Sequence, residues 1–326
     1  MYNIGIDFGG TKVAVGLVDE NYNLIKKLSM RTNPERPTEE IIKEMAELCK
    51  TLLEECNVKI SDVISVGMGL PGAVDRKNGI FTYAPNVNVL NFPIVDVFKK
   101  YFPIDCVYIE NDANAAALGE AVAGAAKGAD DVILITLGTG IGGGIIIGGK
   151  IYSGYNGAAG ELGHMVIEEG GTKCGCGRHG CFEAYCSATA LIRMTKEKML
   201  EDKNSKMYDF CNGDINRANG RTSFDAMRAG DKSAKEVVDT YINYLANGVI
   251  SLINIFQPEV FVIGGGISNE RENLLIPLCE RVRKEQYGCT LDRMTEIKIA
   301  TLQNDAGIVG AAAIKERLHG NNTMLD

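Results

Sequence analysis

One pattern occurs twice in this chain and limits what it can fold into: an apolar strand, a turn of glycine and threonine, and a second apolar strand. The first copy runs from Ile4-Gly5-Ile6 into Asp7-Phe8-Gly9-Gly10-Thr11-Lys12 and returns through Val13 to Val18. The second runs from Ile133, Leu134, Ile135 and Leu137 into Gly138-Thr139-Gly140, continues through Gly142, Gly143 and Gly144, and resumes a strand at Ile145 to Ile147. Glycine loses more chain entropy on folding than any other residue, so five of them between two strands need a reason beyond a tight turn. Backbone amides laid against an anion supply that reason. In the first copy Thr11 and Lys12 add a hydroxyl donor and a positive charge. Asp7 would repel a phosphate unless a divalent cation lay between them, so it is read as a Mg²⁺ partner. Two such hairpins predict a nucleotide clamped between two lobes.

Other nucleotide signatures do not fit. The P-loop pattern GxxxxGK[ST] is absent. GxGxxG begins at Gly67, Gly138 and Gly175, but none of the three is expected to open a helix, as a dinucleotide site requires. At 326 residues the chain exceeds one ordinary core, so two lobes of mixed α/β character are expected. A net charge of -8 argues against nucleic acid or an anionic membrane as main partner. No apolar run reaches membrane-spanning length, and MYNIGIDFGG has no basic region followed by an apolar core. A cytoplasmic protein that keeps its ten cysteines reduced is the expectation.

Between the hairpins the periodicity predicts a helix over Glu39 to Glu55 with Thr38 as its N-cap, and a strand over Val63 to Val66 entering the turn Gly67 to Gly72. Tyr83-Ala84-Pro85-Asn86 reads as a loop able to face a polar ligand. Val107 to Glu110 reads as a strand leading into Asn111-Asp112 and an alanine-rich helix, Ala113 to Ala126. Asp112 has two readings, a helix cap or a carboxylate held as a general base; phosphoryl transfer needs one group to accept the attacking hydroxyl's proton. Further on, helices are expected over Ser187 to Glu201, Ser233 to Phe256, Asn269 to Lys284 and Asp305 to Leu318, with strands at Glu259 to Ile263 and Glu296 to Ala300. Lys203 to Arg221 reads as a polar surface excursion, Gly264 to Ser268 as a third glycine turn facing the base or ribose of a nucleotide, and the tail after Gly320 as frayed.

Cys174, Cys176 and Cys181 fall within eight positions in a stretch too polar to be packed core. Thiols exposed there would oxidise, and zinc accounts for them better than free or disulfide-bonded cysteines. The fourth ligand is His164 or His179; His179 sits inside the cysteine loop, and spacing alone could support it. Three cysteines and a histidine leave no open position, so the zinc would be structural and would fix the loop that carries Glu183.

DFGGTK, ENDANAAALGE, LGTGIGGGI, GAAGELGH and CGCGRHGCFE occur in this order over essentially the whole chain. Together they resemble the ROK family of sugar kinases, and most of all its bacterial glucokinases. The resemblance implies an α/β, actin-like ATPase (ribonuclease H-like) fold with two lobes and a central cleft that closes over ATP and a hexose. Residues 1–112 plus 304–326 would form the small lobe, and 113–303 the large lobe with the zinc-binding loop. Carried over by position, Asp112 becomes the base that activates the 6-hydroxyl, and Asn111, Glu161, His164, Glu183 and Gly72 the residues holding the sugar. Asp7, Gly9, Gly10, Thr11 and Lys12, with Gly138, Thr139 and Gly140, become the phosphate loops, and Gly264 and Gly265 the nucleotide side. His164 becomes the zinc ligand beside Cys174, Cys176 and Cys181, with its second ring nitrogen left for the sugar. The implied activity is MgATP-dependent phosphorylation of glucose to glucose 6-phosphate by a homodimer. The alternatives are an N-acetylmannosamine or other hexose kinase and, from another class, a sugar-sensing repressor.

Overall fold

The computed structural model describes residues 1–84, 87–288, 290 and 292–318. Pro85 and Asn86 of the expected ligand-facing loop, Cys289, His319 and the tail after Gly320 lie outside them. Contacts divide the chain into two units: Met1–Leu134, Gly144–Gly160 and the segment from Thr301 in one, Ile135–Gly143 and Glu161–Ala300 in the other. The resemblance put its lobe boundary at residue 112, whereas the contacts keep residues 1–134 together.

In the first unit β1 (Tyr2–Phe8), β2 (Lys12–Asp19) and β3 (Leu24–Arg31) form an antiparallel meander. Helix α1 (Thr38–Glu55) crosses over to β4 (Val63–Leu70), which pairs parallel with β1. A three-stranded sheet, β5 (Ala73–Asp75), β6 (Ile80–Ala84) and β7 (Val89–Phe92), and helix α2 (Ile94–Tyr101) precede β8 (Val107–Asn111), parallel to β4. The sheet order is β3-β2-β1-β4-β8. Tyr83 and Ala84 end strand β6 rather than sitting in a loop. One face of α1, with Ile41, Ile42, Met45, Cys49 and Leu52, is buried in the cluster containing Ile4, Ile6, Val13 and Met68. Thr38 is the first helical residue of α1, not its cap; the cap position is Pro37 and no side chain caps the helix. Glu39 and Glu40 supply the negative charge favoured in the first turn.

Helix α3 (Asp112–Ala123) leaves β8 and packs on α9 (Ala306–Leu318), and α9 lies across β1 and β4. These contacts are backbone to backbone. A Cβ on Gly5 or Gly67 would lie 1.8 Å from the carbonyl oxygen of Ile308 or Ala311, and one on Gly310 would lie 1.6 Å from that of Ala115. The glycine and alanine content of both helices follows from that closeness, and so does the place of α3 in the first unit.

The next sheet repeats the plan. It comprises β9 (Val132–Leu137), β10 (Ile141–Ile147), β11 (Lys150–Ile151), β12 (Val260–Gly264) and β13 (Glu296–Ile299), ordered β11-β10-β9-β12-β13. Its order matches that of the first sheet, so the repeat extends from the hairpins to whole sheets. Gly142, Gly143 and Gly144 lie inside strand β10; Gly144 brings the strand against the start of α3, where a Cβ would sit 2.6 Å from the Ala113 carbonyl oxygen.

The helices of the second unit are α4 (Glu183–Cys186), α5 (Ala188–Glu201), α6 (Thr222–Arg228), α7 (Lys232–Phe256) and α8 (Glu272–Glu285). The 203–221 segment is not a bare excursion. It forms two 3-10 turns and buries Met207 and Cys211 in a small cluster with Met199, Ala226 and Ala234. Among the described residues no helix is long and apolar enough to cross a membrane.

Candidate active site

In the first unit the parallel strands β1, β4 and β8 end together, since Asp7 pairs with Gly69, Gly69 with Glu110, and Leu70 with Asn111. The carboxyl edge of such strands is where ligands bind in open α/β sheets. It gathers Asp7, the short turn Pro71-Gly72, and Asn111-Asp112; Gly67 to Leu70, expected as part of that turn, instead continue strand β4. Burial, followed by the negative charge of Asp112, raises the pKa of Asp7 to about 6, and Lys12 pulls it down less than these push it up. Each carboxylate thus disfavours the charged form of the other. Gly307, in the first turn of α9, makes room for Asp7; a Cβ there would lie 3.0 Å from the Asp7 Cγ.

The first glycine turn is closed by Gly9 N–H donating to the Lys12 carbonyl at 2.9 Å. It is braced from β3's end by buried Thr32, whose hydroxyl donates to the Gly9 carbonyl at 2.6 Å and whose amide donates to Thr11 O at 3.1 Å. Thr11 and Lys12 are exposed.

Of the two readings of Asp112, capping is taken by its neighbour. Asn111 is the N-cap of α3, its Oδ1 accepting from Ala113 N at 2.9 Å and Asn114 N at 3.2 Å. Asp112 stands at the first helical position, where one oxygen accepts from Ala113 N at 2.8 Å. Asn111 Nδ2 donates to the Gly72 carbonyl at 3.1 Å. Gly72 has φ of +84° and room only for a hydrogen, since a Cβ would lie 2.3 Å from the Tyr83 carbonyl oxygen.

In the second unit the turn Gly138–Gly140 closes with Gly138 N–H donating to Gly140 O at 3.0 Å. The start of α5 holds it: Ala188 N donates to Gly138 O at 2.8 Å, and Thr189 Oγ1 to Thr139 O at 2.8 Å. Glu183, first residue of α4, accepts from Ile141 N at 2.9 Å, and a Cβ on Gly140 would lie 2.3 Å from that carboxylate oxygen. Its other oxygen is 3.7 Å from Cys174 Sγ. The phosphate-type turn and the cysteine loop thus share one carboxylate.

The cysteine loop assembles His164, Cys174, Cys176 and Cys181, with one ligand atom of each within 4.8 Å of the others. Zinc with bonds of about 2.3 Å to sulfur and 2.0–2.1 Å to nitrogen sets tetrahedral ligands roughly 3.6–3.8 Å apart. Cys176 Sγ and Cys181 Sγ are 3.7 Å apart, as are Cys174 Sγ and His164 Nδ1. The donor set therefore fits zinc in kind and spacing. His164 turns its other nitrogen toward Glu161, with Nε2 4.0 Å from Oε2. His179 is not in the cluster; it forms a β-bridge with Lys173 across the loop.

Gly264 ends β12, and Gly265 follows with φ of +82°, so close to β9 that a Cβ would lie 2.5 Å from Leu137 N. Beyond it a cavity of 710 Å³ is lined by Gly266, Asn269, Arg221, Arg228 and Arg271, among others. Those arginines, Thr32, and the α5 donors Ala188 and Thr189 that fix the Gly138–Gly140 turn carry no signal in the sequence pattern. Nor does Arg76, which pairs at 2.9 Å with the fully buried Glu110. An acid inside an otherwise apolar strand was the available signal for Glu110.

The family model for the ROK family matches residues 3–317. A glucokinase of Thermotoga maritima is 41% identical over 97% of this chain and 98% of its own. A ROK family glucokinase from Streptomyces griseus, solved with glucose and AMPPNP, superposes with a TM-score of 0.80 at 35% identity, covering 96% of this chain and 99% of that one. A ROK hexokinase from Thermus thermophilus superposes with a TM-score of 0.78 at 32% identity, covering 96% and 97%.

Proposed function

The chain belongs to the ROK family, and from that premise we propose that it is an ATP-dependent hexose kinase that converts glucose to glucose 6-phosphate. The observation that carries the reading is at the edge of β1 and β8: Asn111 caps α3, so Asp112 is held at the first helical position facing the same edge as Asp7. Asp112 accepts the proton of the sugar's 6-hydroxyl as that oxygen forms its bond to the γ-phosphorus and the bridging oxygen leaves with ADP. Gly72, Asn111, Glu161, His164 and Glu183 hold the sugar hydroxyls. The amides of Gly9 and Gly10 with Thr11 and Lys12, and those of Gly138, Thr139 and Gly140, hold the phosphates. Asp7 faces the Mg²⁺ that accompanies ATP, and Gly264 and Gly265 open the cavity that takes its nucleoside. His164, Cys174, Cys176 and Cys181 hold a zinc ion, which supplies rigidity and fixes the His164 tautomer. We further place the protein in the cytoplasm as a homodimer.

Turnover measured on glucose, N-acetylmannosamine, mannose and fructose at matched concentration tests the substrate; an acetylated sugar turning over faster than glucose overturns it. Asp112→Asn is expected to lower kcat by about 10²–10⁴-fold while glucose still binds. Near-wild-type turnover in that variant would remove the base from Asp112. Metal analysis of protein purified without added metal is expected to give one zinc per chain, and less than half an equivalent counts against the site.

A further inference from the structure

The Arg76–Glu110 ion pair has no part in the proposed reaction, yet it lies directly behind residues that hold the sugar in it. Glu110 is the penultimate residue of β8 and has no exposed surface. Its Oε2 accepts from Arg76 Nη1 at 2.9 Å; its Oε1 accepts from Asn111 N at 2.9 Å and from Asn114 Nδ2 at 3.1 Å. Arg76 follows β5, which begins one residue after Gly72, and Asn111 donates to the Gly72 carbonyl. The 72–76 segment is therefore tied to the 110–114 segment at both of its ends. The chemistry demands a carboxylate, because all the groups that converge on Glu110 are donors. Turning the Asn114 amide over would set its oxygen against the Glu110 charge, so the carboxylate also fixes that side chain.

Stability alone is a weak account of a charge in this position. An ion pair whose carboxylate is buried while Arg76 stays 28% exposed adds little net stability over an uncharged replacement, although stranding the buried partner is costly. We infer that Arg76 and Glu110 are positioning residues for the hexose: they hold Gly72 and Asn111 in register, and through them Asp112. This rests on the proposed kinase reading, in which those three residues face the sugar.

The test compares Arg76→Gln, Arg76→Lys and the double variant Arg76→Gln/Glu110→Gln with wild type, measuring melting temperature and KM for glucose and ATP separately. Arg76→Gln leaves a buried charge unpaired, and is expected to melt lower and to raise the glucose KM by about tenfold, with the ATP KM within about twofold. In the double variant no charge remains and Oε1 still serves Asn111 and Asn114, but the shorter side chain at position 76 no longer spans to residue 110. Its melting temperature is expected to return toward wild type while its glucose KM stays raised by more than about fivefold. Arg76→Lys, which keeps the charge, is expected to melt like wild type with a glucose KM between the two. A double variant that regains both melting temperature and glucose KM overturns the inference, as does a parallel rise in both KM values. Should the double variant not fold, a wild-type glucose KM in Arg76→Lys overturns it instead. Wild-type protein that phosphorylates no hexose removes the kinase reading and this inference together; active wild type with an unaffected double variant removes this inference alone.

Discussion

Asp7 shows how the proposed role and the stability of one side chain oppose each other. Its carboxyl titrates at about 6 in the fold, above the ordinary 3.8, chiefly because it is buried and secondarily because Asp112 is near. The folded state thus holds this proton more tightly than the unfolded chain does. The stability that goes with it is complete below about pH 4 and is lost as pH rises through 6. In protein free of metal and nucleotide, Asp7→Asn should therefore melt several degrees above wild type at pH 8, an effect of up to about 3 kcal/mol, with the gap closing by pH 4. Kinase activity should fall in the same variant. A melting difference that widens toward low pH would contradict burial as the cause. At this scale the sequence displayed the acid-glycine-hydroxyl-cation run plainly, because that chemistry is contiguous. It left Asp112 open between helix cap and general base, since a cap is set by where the first helical dihedral falls, and the neighbouring Asn111 can serve as well.

At the scale of elements, two contacts carry testable consequences. The α9 contact with α3 has no space for a methyl group at Gly310, where a Cβ would lie 1.6 Å from the Ala115 carbonyl oxygen. Gly310→Ala should destabilise the first unit by about 3 kcal/mol or more, read by denaturation, while Gly175→Ala, with nothing within 4 Å of its Cβ, should be near neutral in melting temperature. The second contact is Glu183, shared by the cysteine loop and the Gly138–Gly140 turn. Stripping zinc with a chelator should raise the KM for ATP as well as for glucose, and a change confined to glucose would show that the turn does not depend on the loop. The hairpins and long helices were legible in sequence because period and glycine pattern are local signals. The β5-β6-β7 sheet was not, since strands of three to five residues carry little periodicity. Nor was the packing of 203–221, whose buried Met207 and Cys211 are too sparse to outweigh polar neighbours. Arg76 and Glu110 meet across 34 residues of chain, a separation no spacing rule spans.

For the molecule as a whole, net charge weighs against the repressor alternative. A net charge of -8 opposes the counterion-release binding by which proteins hold the phosphate backbone. Fluorescence anisotropy with random-sequence duplex DNA at physiological salt should show no binding tighter than about 10⁻⁴ M. Micromolar binding would reopen the repressor alternative. The twofold plan was visible in sequence as paired glycine turns, and the matched strand orders extend it to both sheets. Where the units divide was not visible, because membership depends on which partners α3 and β10 find. Helix α9 has one more consequence, in time rather than in space. It is the last helix described, yet the sheet laid down at residues 2–111 cannot cover Gly5 and Gly67 until it arrives. A ribosome making this protein must therefore extrude the whole second unit while that face of the first sheet waits bare, and folding of the earliest-made sheet can finish only once residues 306–318 have cleared the exit tunnel.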